Sequence, residues 1–168
     1  MASETLNSIE GENRLLAARV LERSRNRGVT LGCAESCTGG MIAATLTAIS
    51  GSSESFVGGV VSYWIDVKES VLGVDARVIE EHGVVSTQTA EAMACGARRA
   101  LGCDYAVATT GIAGPTGVES GKPVGTVCYG VAGPDSVSSF MRCAGDTRDE
   151  VRARATGLAL GALLDALA

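Results

Sequence analysis

Two glycine-rich turns, each placed directly after an apolar run, constrain this chain more than any other feature. The first, Ala34-Glu35-Ser36-Cys37-Thr38-Gly39-Gly40, follows apolar residues 29–33 and precedes a helical pattern that starts at Met41. The second, Thr109-Thr110-Gly111-Ile112-Ala113-Gly114-Pro115, follows another apolar run far along the chain. Where a strand turns into a helix, backbone N–H groups point outward with partial positive charge. A hydroxyl at such a turn is a candidate nucleophile beside donors that can stabilise an oxyanion. The glycines let a ligand approach the backbone closely. Two turns of this kind in one small chain imply one site with two walls.

A length of 168 residues fits a single domain, 1–168. Residues 1–13 are polar and acidic, and are expected to be poorly ordered or peripheral. At 46% hydrophobic but only 4% aromatic residues, the core must be built from Val, Ala, Leu and Ile. The net charge of −5, with no long basic run, argues against nucleic-acid binding. It leaves room for a small phosphate ligand, which one helix N-terminus and one arginine can hold. No apolar leader and no apolar run long enough to span a bilayer are evident, so a cytoplasmic chain without membrane contact is expected. The six cysteines contain no Cys-x-x-Cys pair and His82 is the only histidine. No metal site is therefore expected, and the cysteines read as small apolar fillers of a reduced chain.

Apolar spacing predicts helices over 9–27, 38–49, 66–72, 76–82, 87–101 and 149–167, and strands over 29–34, 56–64, 105–109, 124–131 and 136–143. Gly133-Pro134-Asp135 joins the last two strands as a hairpin. Strands alternating with helices, plus one hairpin, predict an α/β fold: a three-layer α/β/α sandwich with a mixed, mostly parallel sheet. In such sheets ligands collect at the carboxyl ends of strands, where both glycine turns lie.

Ser36 is the first candidate for chemistry, and as a nucleophile it needs a base. His82 sits at an expected helix end, between Glu81 and Gly83, and reads as a capping or surface residue. A lysine base is the remaining common solution, and only Lys68 and Lys122 occur. Lys68 follows Tyr63 by five positions, so a strand end and the next turn could aim both into one site. A lysine lowered in pKa by burial can act as general base, with Tyr63 as relay. Spacing alone favours the plainer reading, in which Lys68 is a solvated helix residue and Tyr63 a sheet residue. Cys37 competes as nucleophile because a thiol at a helix N-terminus is activated, although it lacks a histidine partner. Ser36 and Thr38 could equally serve only as helix caps. Arg148 and Arg152, near the start of the last helix, suit a phosphate, or else pair at the surface with Asp149 and Glu150.

The ordered set Ala34–Gly40, Ser62-Tyr63 with Lys68, Thr110-Gly111-Ile112-Ala113-Gly114-Pro115 and Lys122-Pro123-Val124-Gly125-Thr126-Val127 resembles the CinA C-terminal domain family. The resemblance runs from about Leu15 to the C-terminus. Longer family members carry an additional N-terminal domain, and this chain looks like the stand-alone form. Enzymatic members are nicotinamide-nucleotide amidohydrolases, which convert nicotinamide mononucleotide to nicotinate mononucleotide and ammonia in pyridine-nucleotide salvage. The resemblance implies Ser36 as nucleophile, Lys68 as base and Tyr63 as support for the proton path. It implies Cys37, Thr38, Gly39, Gly40, Thr110, Gly111 and Arg148 as substrate-binding residues, with no metal or other cofactor. Two departures stand out. Ile65 replaces a common asparagine, and Thr147 is inserted into the family's Gly-Asp-Arg segment, here Gly145-Asp146-Thr147-Arg148, which leaves Arg152 as an alternative to Arg148. These departures keep open a second expectation, a non-catalytic nucleotide-binding or regulatory domain of the same fold. Analogy of fold also suggests a homo-oligomer.

Overall fold

Alternation along the strands decides the layering. On β3 (Tyr105–Gly111), Tyr105 and Val107 join one apolar cluster, whereas Ala106 and Ala108 join another on the opposite face of the sheet. The structure, a computed structural model, describes residues 2–168. Five strands lie in the order β2-β1-β3-β4-β5. β1 (Leu31–Glu35) pairs in parallel with β2 (Phe56–Val61) and with β3. β4 (Thr126–Ala132) and β5 (Val137–Cys143) complete the sheet through antiparallel pairings. The mixed sheet thus has a parallel half and an antiparallel half that meet at β3.

Helices α1 (Ala2–Arg27), α2 (Met41–Thr47) and α6 (Arg148–Ala166) cover one face, and Leu21, Leu46, Leu160 and Leu163 fill the space beneath them. On the other face lies α5 (Thr87–Leu101), with α4 (Ala76–His82) packed against it; α3 (Ile65–Ser70) leads from β2 into this layer through Leu72 and Val74. There the core is built from small residues, Ala34, Ala94, Ala97, Ala106 and Ala108, around Met93 and Leu72. The result is the expected three-layer α/β sandwich. Among the described residues no helix is long and apolar enough to cross a membrane.

Several boundaries differ from expectation for local reasons. The segment expected to be loose or peripheral, within 1–13, carries the first turns of α1 from Ala2 onward. Ile9 is buried in it, and buried Asn13 donates Nδ2 to the Ala153 carbonyl of α6 at 2.8 Å. α2 begins at Met41 rather than at Thr38 because Gly39 (φ +59°) and Gly40 (φ +101°) adopt left-handed conformations that interrupt a helix. β2 stops at Val61, so Tyr63 and Trp64 leave the sheet, with extended Trp64 preceding α3. The hairpin forms as expected, closed by Gly133 N–H donating to the Ser136 carbonyl at 2.8 Å.

Candidate active site

The two glycine turns are brought together by the parallel pairing of β1 with β3, in which Glu35 lies opposite Thr109. One residue beyond that pair, the Ser36 amide donates to the Thr109 carbonyl at 3.0 Å. The turns therefore leave the sheet side by side at the carboxyl ends of adjacent strands.

Lys68 reaches this edge from α3. It is fully buried, against the plainer expectation of a solvated helix residue. Its Nζ donates to the Ser36 hydroxyl at 3.1 Å, to the Ser62 carbonyl at 2.6 Å and to the Tyr63 carbonyl at 3.4 Å. Burial lowers its pKa from 10.5 to about 8, and the Cys37 thiol acts weakly in the opposite sense. No carboxylate contacts the ammonium among the hydrogen bonds of Nζ. Lys68 is thereby held as an ammonium that is easily deprotonated to the amine.

The Ser36 turn is fixed by groups on three sides. Buried Glu35 accepts the amides of Gly40 and Ile42 on Oε2, each at 3.0 Å, and that of Ala43 on Oε1 at 2.9 Å. It thus takes the place of a capping side chain at α2, which neither Ser36 nor Thr38 supplies. Thr38 is buried, shares a hydrogen bond between its Oγ1 and that of Thr109 at 2.8 Å, and receives Arg152 Nη2 on its carbonyl at 3.1 Å. Gly39 N–H closes back onto the Ser36 carbonyl at 3.1 Å. Among the described residues, the amides of Cys37 and Thr38 are the two in this turn that donate to no oxygen. Cys37 itself is buried, and burial pushes its thiol up to about 12, against the amides of Cys37 and Thr38, which meet its sulfur and pull the other way; the charge of Glu35 adds to the rise.

A cleft of about 310 Å³ opens in front of Ser36. Ser36, Cys37, Tyr63, Gly111 and Arg148 line it, together with Val84 and the turn from Ile112 to Gly117. Arg148 donates Nη1 to the Gly114 carbonyl at 2.9 Å and Nη2 to the Tyr63 hydroxyl at 3.3 Å. The Tyr63 hydroxyl therefore turns to Arg148, and only the Tyr63 carbonyl meets Lys68. Thr38, Gly39, Gly40 and Thr110 stand behind the lining rather than in it. Thr110 is buried and donates Oγ1 to the Val84 carbonyl at 2.9 Å, tying two walls of the cleft together. The inserted Thr147 is absorbed as the cap of α6, accepting the Glu150 amide on Oγ1 at 3.4 Å. Arg152, an alternative phosphate ligand by sequence, is engaged with the Thr38 carbonyl. Glu35 and Thr109 escaped the sequence reading. An acidic residue at the end of a strand, before a Gly-Gly turn and a helix with no capping side chain, was the available signal for Glu35. A larger cavity of about 780 Å³, between α1, α6 and β5, shares no lining residue with this cleft.

The chain as a whole is similar to a set of known proteins. The family model of the CinA C-terminal domain matches residues 13–167. A CinA-like protein of Synechococcus sp. is 50% identical over 150 residues, which cover 88% of this chain and 36% of that protein. A CinA-like protein of Mycolicibacterium vanbaalenii is 51% identical over 142 residues, covering 83% of this chain and 33% of that protein. The chain thus spans about a third of the length of these curated relatives. Among solved structures, the competence/damage inducible protein CihA from Agrobacterium tumefaciens superposes with a TM-score of 0.88 at 40% identity, covering 93% of this chain and 95% of that one. A competence damage-inducible protein A from Klebsiella pneumoniae gives 0.88 at 35% identity, covering 91% and 95%.

Proposed function

We propose that this chain, which belongs to the CinA C-terminal domain family, hydrolyses the carboxamide of nicotinamide mononucleotide to nicotinate mononucleotide and ammonia by a serine–lysine mechanism. The observation that carries this reading is the 3.1 Å contact between buried Lys68 Nζ and Ser36 Oγ. A neutral lysine amine has two N–H groups and one lone pair. With the Ser62 and Tyr63 carbonyls taking the two N–H groups, the lone pair faces the Ser36 hydroxyl. That is the orientation a general base needs.

In this reading Lys68 removes the Ser36 proton as Oγ attacks the carboxamide carbon. The amides of Cys37 and Thr38 receive the developing oxyanion. The Lys68 ammonium then delivers its proton to the departing nitrogen, so ammonia leaves and an acyl-serine remains. Water, deprotonated by the same amine, cleaves that ester and restores Ser36. Arg148, at the far side of the cleft and steadied by Gly114 and Tyr63, supplies positive charge for the nucleotide phosphate. Tyr63 in this arrangement orients Lys68 through its carbonyl and Arg148 through its hydroxyl, rather than relaying a proton. A thiol mechanism is disfavoured, because a Cys37 pKa pushed up to about 12 leaves only on the order of one thiolate in 10⁵ at pH 7.

The test is ammonia release from nicotinamide mononucleotide by the wild type, Ser36→Ala and Lys68→Ala. Turnover by the wild type, with a loss of about 10³-fold or more in each variant, is expected for a nucleophile and its base. Full activity of Ser36→Ala removes the mechanism. A folded wild type that binds the nucleotide without turning it over supports a non-catalytic binding domain instead.

A further inference from the structure

Glu35 precedes Ser36 directly and is 1% exposed, yet its carboxylate meets no cationic side chain in its hydrogen bonds. Burying a carboxylate is costly, and a packed neutral residue of similar volume is often as good for stability. The backbone amides it accepts are what offset that cost. All three of its oxygen-accepted amide bonds go to Gly40, Ile42 and Ala43, the first donors of α2. α2 has only seven residues and no capping side chain of its own, so these donors have no other partner.

The consequence for the turn is geometric. Its start is pinned by Ser36 N–H on the Thr109 carbonyl, and its end by the Glu35 carboxylate on residues 40–43. Gly39 N–H is spent inside the turn on the Ser36 carbonyl. Every amide from Ser36 to Ala43 is thus engaged with an oxygen except those of Cys37 and Thr38, which meet only the Cys37 sulfur; Met41 N–H is itself engaged with the Thr38 carbonyl. From this pattern we infer that Glu35 is a positioning residue. It binds the amides of α2 so that the Ser36 turn presents two donors, and only two, in one fixed direction.

The inference rests on the serine–lysine reading of the same site, and its test is chosen to fail separately from that reading. Wild type, Glu35→Gln and Glu35→Asp are compared by two measurements. The first is the second-order rate of labelling of Ser36 by a fluorophosphonate, which needs an activated serine and oxyanion donors but no nicotinamide substrate. The second is kcat and KM for ammonia release, with concentrations normalised to labelled sites. Glutamine keeps the shape, but its amide group must set N–H against N–H at one of the three contacts. Aspartate keeps the charge but is one methylene too short to reach all three.

In both variants the labelling rate and the normalised kcat are expected to fall together by about 10- to 100-fold, less than the roughly 10²- to 10³-fold that follows outright loss of an oxyanion donor. KM should stay within about twofold, and the acid limb of the pH profile should not move, since Glu35 does not contact Lys68. A cap with a structural role alone gives a different result: fewer labelled sites, with unchanged rates at each site. That outcome in either variant overturns the inference. If the wild type labels at Ser36 but releases no ammonia, the substrate reading fails while the labelling rates still decide the role of Glu35.

Discussion

At the scale of the residue, the buried Lys68 places a cost on folding. Its pKa falls from 10.5 to about 8 on burial, so the unfolded chain holds the proton more tightly than the folded one. The sign follows from linkage: stability rises with pH wherever the unfolded state binds more protons, here between about pH 8 and 10.5. Below that window the full cost is present, about 3 kcal/mol as an order of magnitude from the printed shift. Denaturant unfolding of wild type beside Lys68→Met should reveal it. The stability difference should move in favour of the wild type by up to about 3 kcal/mol between pH 7 and pH 10.5. A flat difference would mean that the lysine is not desolvated as described. If Lys68 is the base, the same shift governs activity, and log kcat/KM should climb with unit slope up to about pH 8 and level off above it.

At the scale of the element, the site depends on how α3 is seated. α3 is six residues long, and the chain leaving it is held by α5 at Gly96, where a Cβ would collide with the Leu72 carbonyl. Gly96→Ala must therefore push residues 72–74 away from α5, and with them the helix that carries Lys68. We expect a loss of about 1–3 kcal/mol in denaturant stability, as for other overpacked sites, and a fall in kcat larger than that of a surface alanine. Unchanged stability would contradict the close approach. Gly96 also shows where the sequence was mute. Elements with strong periodicity or clear turn residues were legible: α4 and α5 cover the expected residues, with Asp75 and Ser86 capping their starts, and the β4–β5 hairpin closes at Gly133. The start of α2, delayed to Met41 by the left-handed Gly39 and Gly40, and the end of β2 at Val61 depart from the apolar pattern, which does not report backbone conformation. Within the site, the residue types at Ser36 and Lys68 could be read from the chain, but the burial of Lys68 could not. Nor could the turn of the Tyr63 hydroxyl toward Arg148, since a spacing of five residues says nothing of where a side chain points.

At the scale of the whole molecule, the two faces of the sheet divide the labour. The α1–α2–α6 face is filled by large aliphatic side chains, and Leu160 and Leu163 there are fully buried. The α5 face is closed by alanines and by backbone contact, as at Gly130, where a Cβ would collide with the Ala90 carbonyl. Leu160→Ala should cost about 2–5 kcal/mol by leaving a cavity, read from urea unfolding. It should leave kcat per folded molecule within about twofold, because Leu160 lies in the core rather than in the cleft lining. A large loss of kcat would mean that this core transmits strain to the Ser36 turn.

The oxygens that hold Lys68 besides Ser36 belong to the main chain, at Ser62 and Tyr63. A systematic alanine scan would register Ser36 and Lys68 and pass over what aims one at the other. The instruction for that alignment is carried in the path of the backbone, and a point change at residue 62 leaves its carbonyl in place, whereas one at residue 63 also removes the hydroxyl that meets Arg148. Mutational tolerance at position 62 is therefore compatible with its full involvement in the site.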